Sequence, residues 1–159
     1  MAKNLIAFFS ATDSTRNVAN ILAEITGDDI YEIKPADPYT VEDLDTNRFT
    51  SRTSVEKNDL NARPKIADKN ANIDEYDKIY LGFPIWWYVP PRIINTFLES
   101  YDFTDKTIIL FATSRAAGLG QSAGLLHTSA PNAKFIEGKV FRGRANRNIL
   151  ENWIKSLNV

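Results

Sequence analysis

The chain has 159 residues, 19 Lys and Arg against 20 Asp and Glu, and 43% hydrophobic residues, a balance that suits one globular domain spanning residues 1–159. It has no cysteine and one histidine, His127. That excludes disulfide frameworks, iron–sulfur clusters, thiol nucleophiles, zinc ribbons and multi-histidine metal sites, and it leaves a cytoplasmic protein as the expectation. The longest early apolar run, Leu5 to Phe9, is far below the roughly 20 residues that span a bilayer, so no membrane association is expected.

In chain order, Leu5–Phe9 reads as a buried strand, and the polar loop Ser10–Arg16 follows it. Val18, Ile21, Leu22 and Ile25 then recur at helical spacing, with Gly27 where the helix should stop. Asp29–Lys34 is a second, more polar strand. Pro35–Asn72 is a polar excursion with scattered apolar residues, part of it helical, in which Thr40 and Asp43 resemble an N-cap pair. Ile79–Phe83 is the third strand, and Pro91 fits the first turn of a helix carrying Ile94, Phe97, Leu98 and Tyr101. Thr107–Ala112 and Phe135–Phe141 complete the strands. A short helix at Leu125 and Leu126 separates them, and a last helix carries Leu150, Trp153, Ile154 and Leu157. Strands alternating with helices predict an α/β fold of three layers, a doubly wound five-stranded parallel sheet of order 2-1-3-4-5, with ligands beyond the carboxyl ends of the strands.

Function should then lie in three loops. Ser10-Ala11-Thr12-Asp13-Ser14-Thr15-Arg16 combines hydroxyls with backbone N–H groups at a helix start, an arrangement that can wrap a phosphate; Ser14 or Thr15 as a simple N-cap is the plainer reading. Pro84-Ile85-Trp86-Trp87-Tyr88-Val89-Pro90 puts three adjacent aromatics between prolines, too many to face one core, so at least one indole should be exposed as a ring platform or as a protein interface. Thr113–Gln121 is small and glycine-bearing, so its backbone can approach a ligand edge. Within it, Gly118-Leu119-Gly120-Gln121-Ser122-Ala123, with Glu137 further on, also satisfies a dinucleotide pattern, although it follows the fourth strand and not the first. The chain has no G-x-x-x-x-G-K, no G-x-S-x-G elbow and no acidic cluster of a receiver domain.

Phe9-Ser10-Ala11-Thr12-Asp13-Ser14-Thr15-Arg16, Gly82-Phe83-Pro84-Ile85-Trp86-Trp87 and Ala112-Thr113-Ser114 followed by Gly118 together resemble the flavodoxin family, specifically its bacterial flavodoxin-like branch. The resemblance extends to Arg63-Pro64 and to Asp74-Glu75-Tyr76-Asp77 before the third strand. It implies a flavodoxin-like fold binding FMN, with Ser10, Thr12, Asp13, Ser14, Thr15 and Arg16 in the phosphate loop. It further implies that Pro84, Ile85, Trp86, Trp87, Thr113, Ser114, Arg115 and Gly118 surround the ring. Asp13 stands where that family usually has glycine, which implies a left-handed backbone at Asp13 or a locally different loop, and tighter FMN binding by a glycine variant. Arg115 beside the ring would favour the anionic reduced flavin.

Charge bears on the role. Residues 1–80 hold 15 acids and 10 bases, residues 81–159 hold 5 acids and 9 bases. A net charge of −1 differs from the strong acidity of dedicated electron-carrier flavodoxins and suits, at least as well, an enzyme taking hydride from NAD(P)H to reduce a quinone-like acceptor. A redox partner protein as donor or acceptor stays open, as does a non-flavin interaction module built on Trp86-Trp87-Tyr88. Arg142, Arg144 and Arg147 are expected as a solvated face and not as a nucleic-acid site, and His127 as a helix-surface residue.

Overall fold

In a computed structural model, which describes residues 3–45, 47–86, 88–114 and 118–157, the apolar runs form five strands. These are β1 (Asn4–Phe8), β2 (Asp29–Glu32), β3 (Lys78–Pro84), β4 (Thr107–Thr113) and β5 (Lys134–Phe141). The helices are α1 (Asp13–Thr26), α2 (Arg52–Asn58), α3 (Arg92–Glu99), α4 (Ser122–His127) and α5 (Arg147–Leu157). Every strand pairing is parallel and the order is β2-β1-β3-β4-β5, as the alternation of strands and helices predicts.

Period-two alternation along the strands divides the core between two faces. Leu5, Ala7, Ile79, Leu81 and Leu110 pack with Ile94, Phe97 and Leu98 of α3 and Leu126 of α4. On the other face Ile6, Phe8, Tyr80, Ile109 and Phe111 meet Val18 and Leu22 of α1 and Leu150 and Trp153 of α5. Each Leu, Ile, Val or Phe among them, fully buried, contributes about 1.5–3 kcal/mol before conformational entropy is subtracted.

The edge strand β5 carries a bulge: Ile109 pairs with Ile136, but Phe111 pairs with Lys139, so β5 has one extra residue. Gly138 lies inside it. A Cβ at Gly138 would collide with the Leu110 carbonyl and the Trp153 ring, so the bulge requires glycine.

Helix boundaries differ from expectation at two starts. Helix α1 begins at Asp13 with Thr12 in the N-cap position, so neither Ser14 nor Thr15 is the cap; an acid in the first turn suits the positive helix end, and the apolar periodicity that starts at Val18 cannot register this polar turn. Pro91 is the residue preceding α3, one place earlier than expected. Thr40 and Asp43 do exchange reciprocal bonds, Asp43 N–H to Thr40 Oγ1 at 3.1 Å and Thr40 N–H to Asp43 Oδ2 at 2.9 Å, yet they close a turn. No helix follows because Val41 is 87% exposed and there is no apolar face to bury.

The helical part of the excursion is α2. Ser51 caps its start, accepting from Ser54 N–H. The buried Arg92 guanidinium of α3 closes its end by donating to the carbonyls of Glu56 (3.2 Å), Lys57 (2.7 Å) and Asp59 (3.2 Å).

Candidate functional site

Beyond the carboxyl ends of β1, β3, β4 and β5 lies a cavity of about 340 Å³. Thr12 and Ser14 contribute from the first loop, Pro84, Ile85 and Trp86 from the second, and Thr113 and Ser114 from the end of β4. Seven of the residues singled out from sequence thus share one cavity.

The first loop is held from within. The Ser10 hydroxyl donates to the Thr12 carbonyl and accepts from Arg16 N–H at 3.2 Å, so Ser10 serves the loop itself. Thr12 makes no side-chain cap bond to α1. First-turn amides of a helix have no intrahelical partner, so with the exposed hydroxyls of Thr12 and Ser14 beside them they form a place for an external anion. Thr15 is only 1% exposed and its hydroxyl meets that of Thr113 at 2.7 Å. It ties the first loop to the end of β4.

Asp13 does not adopt the left-handed backbone. It is the first residue of α1, outside the set of positive-φ residues among the described chain. Its side chain is 83% exposed and pairs with Arg16 at 2.7 Å. A glycine there relieves no strain, which removes that ground for tighter FMN binding. Arg16 also reaches Glu32 at 2.7 Å, and that hydrogen bond above all holds its pKa above the ordinary guanidinium range. With Ser10 and Glu32 it lines a second cavity of about 290 Å³ on the β2 side of the loop. Arg16 therefore sits apart from Thr12 and Ser14.

The second loop closes into a tight turn, Trp86 N–H to the Val89 carbonyl at 3.0 Å and Val89 N–H to the Trp86 carbonyl at 3.1 Å. Tyr88 carries φ 68° and is 68% exposed. Trp86 is half-buried, edge-on to Phe9 (5.8 Å between centroids) and to Tyr39 (5.5 Å). Tyr39 in turn lies under the Arg52 guanidinium at 3.8 Å and donates its hydroxyl to Glu56. The excursion thus props Trp86 from behind while the indole still lines the cavity. Trp87 and Arg115 lie outside the described residues.

The loops are also laced to one another. Ile85 N–H bonds the Thr113 carbonyl at 3.0 Å and Ser114 N–H the Phe141 carbonyl at 3.2 Å. Gly118 is exposed and lines neither cavity. Gly120, at φ 55°, lies close to the Tyr88 carbonyl. Phe141 and Gly143 complete the cavity wall, and the sequence reading missed both. Arg142-Gly143-Arg144 directly after the fifth strand was the available signal, since every strand of such a sheet delivers a loop to the same end. His127 is exposed at the end of α4, edge-on to Phe135 at 5.6 Å. Among the described residues no group of three or more His, Cys, Asp or Glu could hold a metal, and no helix is long and apolar enough to cross a membrane.

The flavodoxin family model matches residues 3–157. Among solved structures, a candidate flavoprotein from Bacteroides uniformis is 45% identical, with 97% of this chain and 98% of that one covered and a TM-score of 0.92. Another from Bacteroides eggerthii is 42% identical, covers 100% and 99%, and has the same TM-score of 0.92. A flavoprotein from Lactobacillus acidophilus, solved in complex with FMN, shares the fold at 21% identity and TM-score 0.67 over 97% and 99% of the chains. No curated protein matches the chain.

Proposed function

Because the chain belongs to the flavodoxin family, we propose that it binds FMN non-covalently in the cavity at the carboxyl ends of β1, β3 and β4 and works as a small NAD(P)H-dependent reductase. The observation that carries this reading is the pairing, in one cavity, of an uncapped α1 start flanked by Thr12 and Ser14 with a wall of Pro84, Ile85 and Trp86. Those residues fit the cofactor. The free first-turn amides suit a phosphate, the propped indole suits a flat ring, and about 340 Å³ falls within the range of small-molecule sites. The flavoprotein in complex with FMN from Lactobacillus supports the same cofactor.

Thr12, Ser14 and the α1 amides would hold the phosphate, while Pro84, Ile85, Trp86, Thr113 and Ser114, with Phe141 and Gly143, would enclose the ring. Bound FMN supplies two-electron chemistry: NAD(P)H plus a proton reduces a quinone-like acceptor to the quinol and leaves as NAD(P)⁺. The protein's part is to position the ring, exclude water and tune the potential, which demands no side-chain acid or nucleophile. The near-neutral charge supports a small-molecule donor and acceptor over docking to a basic redox protein.

The test begins with FMN added to the purified protein and the excess removed. A retained flavin spectrum with shifted bands is expected, followed by anaerobic bleaching by NADPH or NADH on a catalytic timescale and quinone-dependent reoxidation. Flavin retained but not bleached by either nucleotide would make the protein an electron carrier fed by another reductase. No retained flavin at micromolar protein would sink the cofactor assignment and favour an interaction module built on the second loop.

A further inference from the structure

The turn after β5 builds a separate cationic cavity against the wall of the first. It measures about 300 Å³ and is lined by Lys139, Arg142, Arg144 and Asn146, with Val140 and Ile149 among its apolar surface and no acidic residue. The two cavities adjoin: Phe141 lines both, and Gly143, which lines the first, sits between Arg142 and Arg144, which line the second. Gly143 has φ 70°, the left-handed turn that a side chain would resist.

The nearest cation in sequence shows what distinguishes Lys139 and Arg144. Arg147, at the start of α5, is matched by Glu24 at 3.3 Å and Glu151 at 2.8 Å. Among the described residues, neither Lys139 nor Arg144 forms an ion pair. Like charges gathered around one concavity repel one another, and an anion seated among them converts that repulsion into attraction. The local excess is also where the chain's basic bias lies, 9 bases against 5 acids over residues 81–159. A concave site of this size suits the phosphates of a small molecule, since a macromolecular partner needs a broad face and not a pocket.

Resting on the reductase reading above, we propose that this cavity binds the phosphates of the pyridine nucleotide donor, so that NAD(P)H is anchored on Lys139, Arg142 and Arg144 while its nicotinamide end reaches the adjoining cavity. Guanidinium groups match phosphate oxygens in bidentate geometry and Lys139 adds a point charge.

The experiment measures binding without turnover. Oxidised NADP⁺ and NAD⁺ are titrated calorimetrically into the FMN-saturated full chain and into two double variants, Lys139→Gln/Arg144→Gln and Lys139→Glu/Arg144→Glu. FMN affinity is measured separately on each. The expected result is nucleotide affinity reduced about tenfold in the glutamine pair and about a hundredfold in the glutamate pair, in line with loss of charge-assisted contacts. FMN affinity should stay within about twofold, and inorganic pyrophosphate should compete with the nucleotide only where the cations are present. Unchanged nucleotide affinity in the glutamate pair overturns the proposal, as does pyrophosphate that fails to compete. A wild-type protein that holds FMN but binds neither nucleotide, while capturing an acidic redox protein in a salt-sensitive way, also overturns it. Failure of the wild type to bind FMN is a different outcome, and it strikes the reductase reading itself.

Discussion

The hydroxyl pair Thr15–Thr113 makes a sharp prediction because both partners are buried, at 1% and 7% exposure, and 2.7 Å apart. Thr→Val keeps the shape and removes the hydroxyl. Either single substitution leaves its partner a buried hydroxyl with no bond across the loops, which costs about 1–3 kcal/mol. At this chain length that corresponds to a melting temperature lower by roughly 3–10 °C. Thr15→Val/Thr113→Val removes both hydroxyls together and brings two methyls into contact, so its cost should fall below about 1 kcal/mol, less than either single change. Urea unfolding of the FMN-free protein, read as midpoint shifts at constant slope, gives the three values and their coupling. If the double variant loses the sum of the singles, the two hydroxyls act independently, and the view of this pair as the tie between the first loop and β4 is refuted.

Four further outcomes are expected. Ser14→Glu places a carboxylate at the proposed phosphate position and should weaken FMN binding about tenfold or more while riboflavin, which lacks the phosphate, loses less than threefold; equal losses would relocate the phosphate. Trp86→Ala should weaken FMN and riboflavin alike, roughly tenfold by fluorescence titration, because it removes the ring wall and not an anion contact; unaltered affinity for both would take Trp86 out of the wall. Gly138→Ala should destabilise the fold by more than about 2 kcal/mol in urea, since the new methyl meets backbone at Leu110 where nothing can yield; a near-neutral variant would show that β5 can shift. Alkaline stability depends on phenols whose pKa rises on folding. Burial first, then donation to Asp29 at 2.8 Å, pushes Tyr76 up to about 12, and burial raises Tyr31, Tyr39 and Tyr80 as well. Since unfolded tyrosine titrates near about 10, this stabilisation is whole below about pH 10 and declines as pH climbs toward 12. A Tyr76→Phe variant should show a shallower decline of the urea midpoint over that interval, and a parallel decline would discount Tyr76.

Most of the scaffold was legible because its signals are local. Ile108-Ile109-Leu110-Phe111 and Leu5–Phe9 declare buried strands by composition alone, and the helices between them force parallel pairing and an order that places the first, third and fourth loops together. Thr12, Ser14, Pro84 and Thr113 follow from that order. What escaped was decided by distant partners. Trp86 could be read only as one of three crowded aromatics, because the ring that supports it, Tyr39, comes from an excursion whose own helix owes its end to Arg92. Arg16 looked like a phosphate ligand by position, but the short strand β2 ends in Glu32 and draws the guanidinium across the loop. The left-handed Asp13 was an inference from a family pattern, whereas a carboxylate at the first turn of a helix needs no unusual backbone.

The clasp of Arg92 on α2 also sets an order of events in folding. Seven residues are too few to sustain a helix in isolation, and the carbonyls that Arg92 satisfies lie 33 to 36 positions upstream of it. The segment around residues 51–59 is therefore expected to form only once α3 has docked on the sheet and brought the guanidinium to its carboxyl end. The prop behind Trp86 is then expected to be among the last parts of the molecule to set, after α3 has packed on the sheet. Because these contacts are non-local, the wall formed by Trp86 is expected to become competent only at this late step.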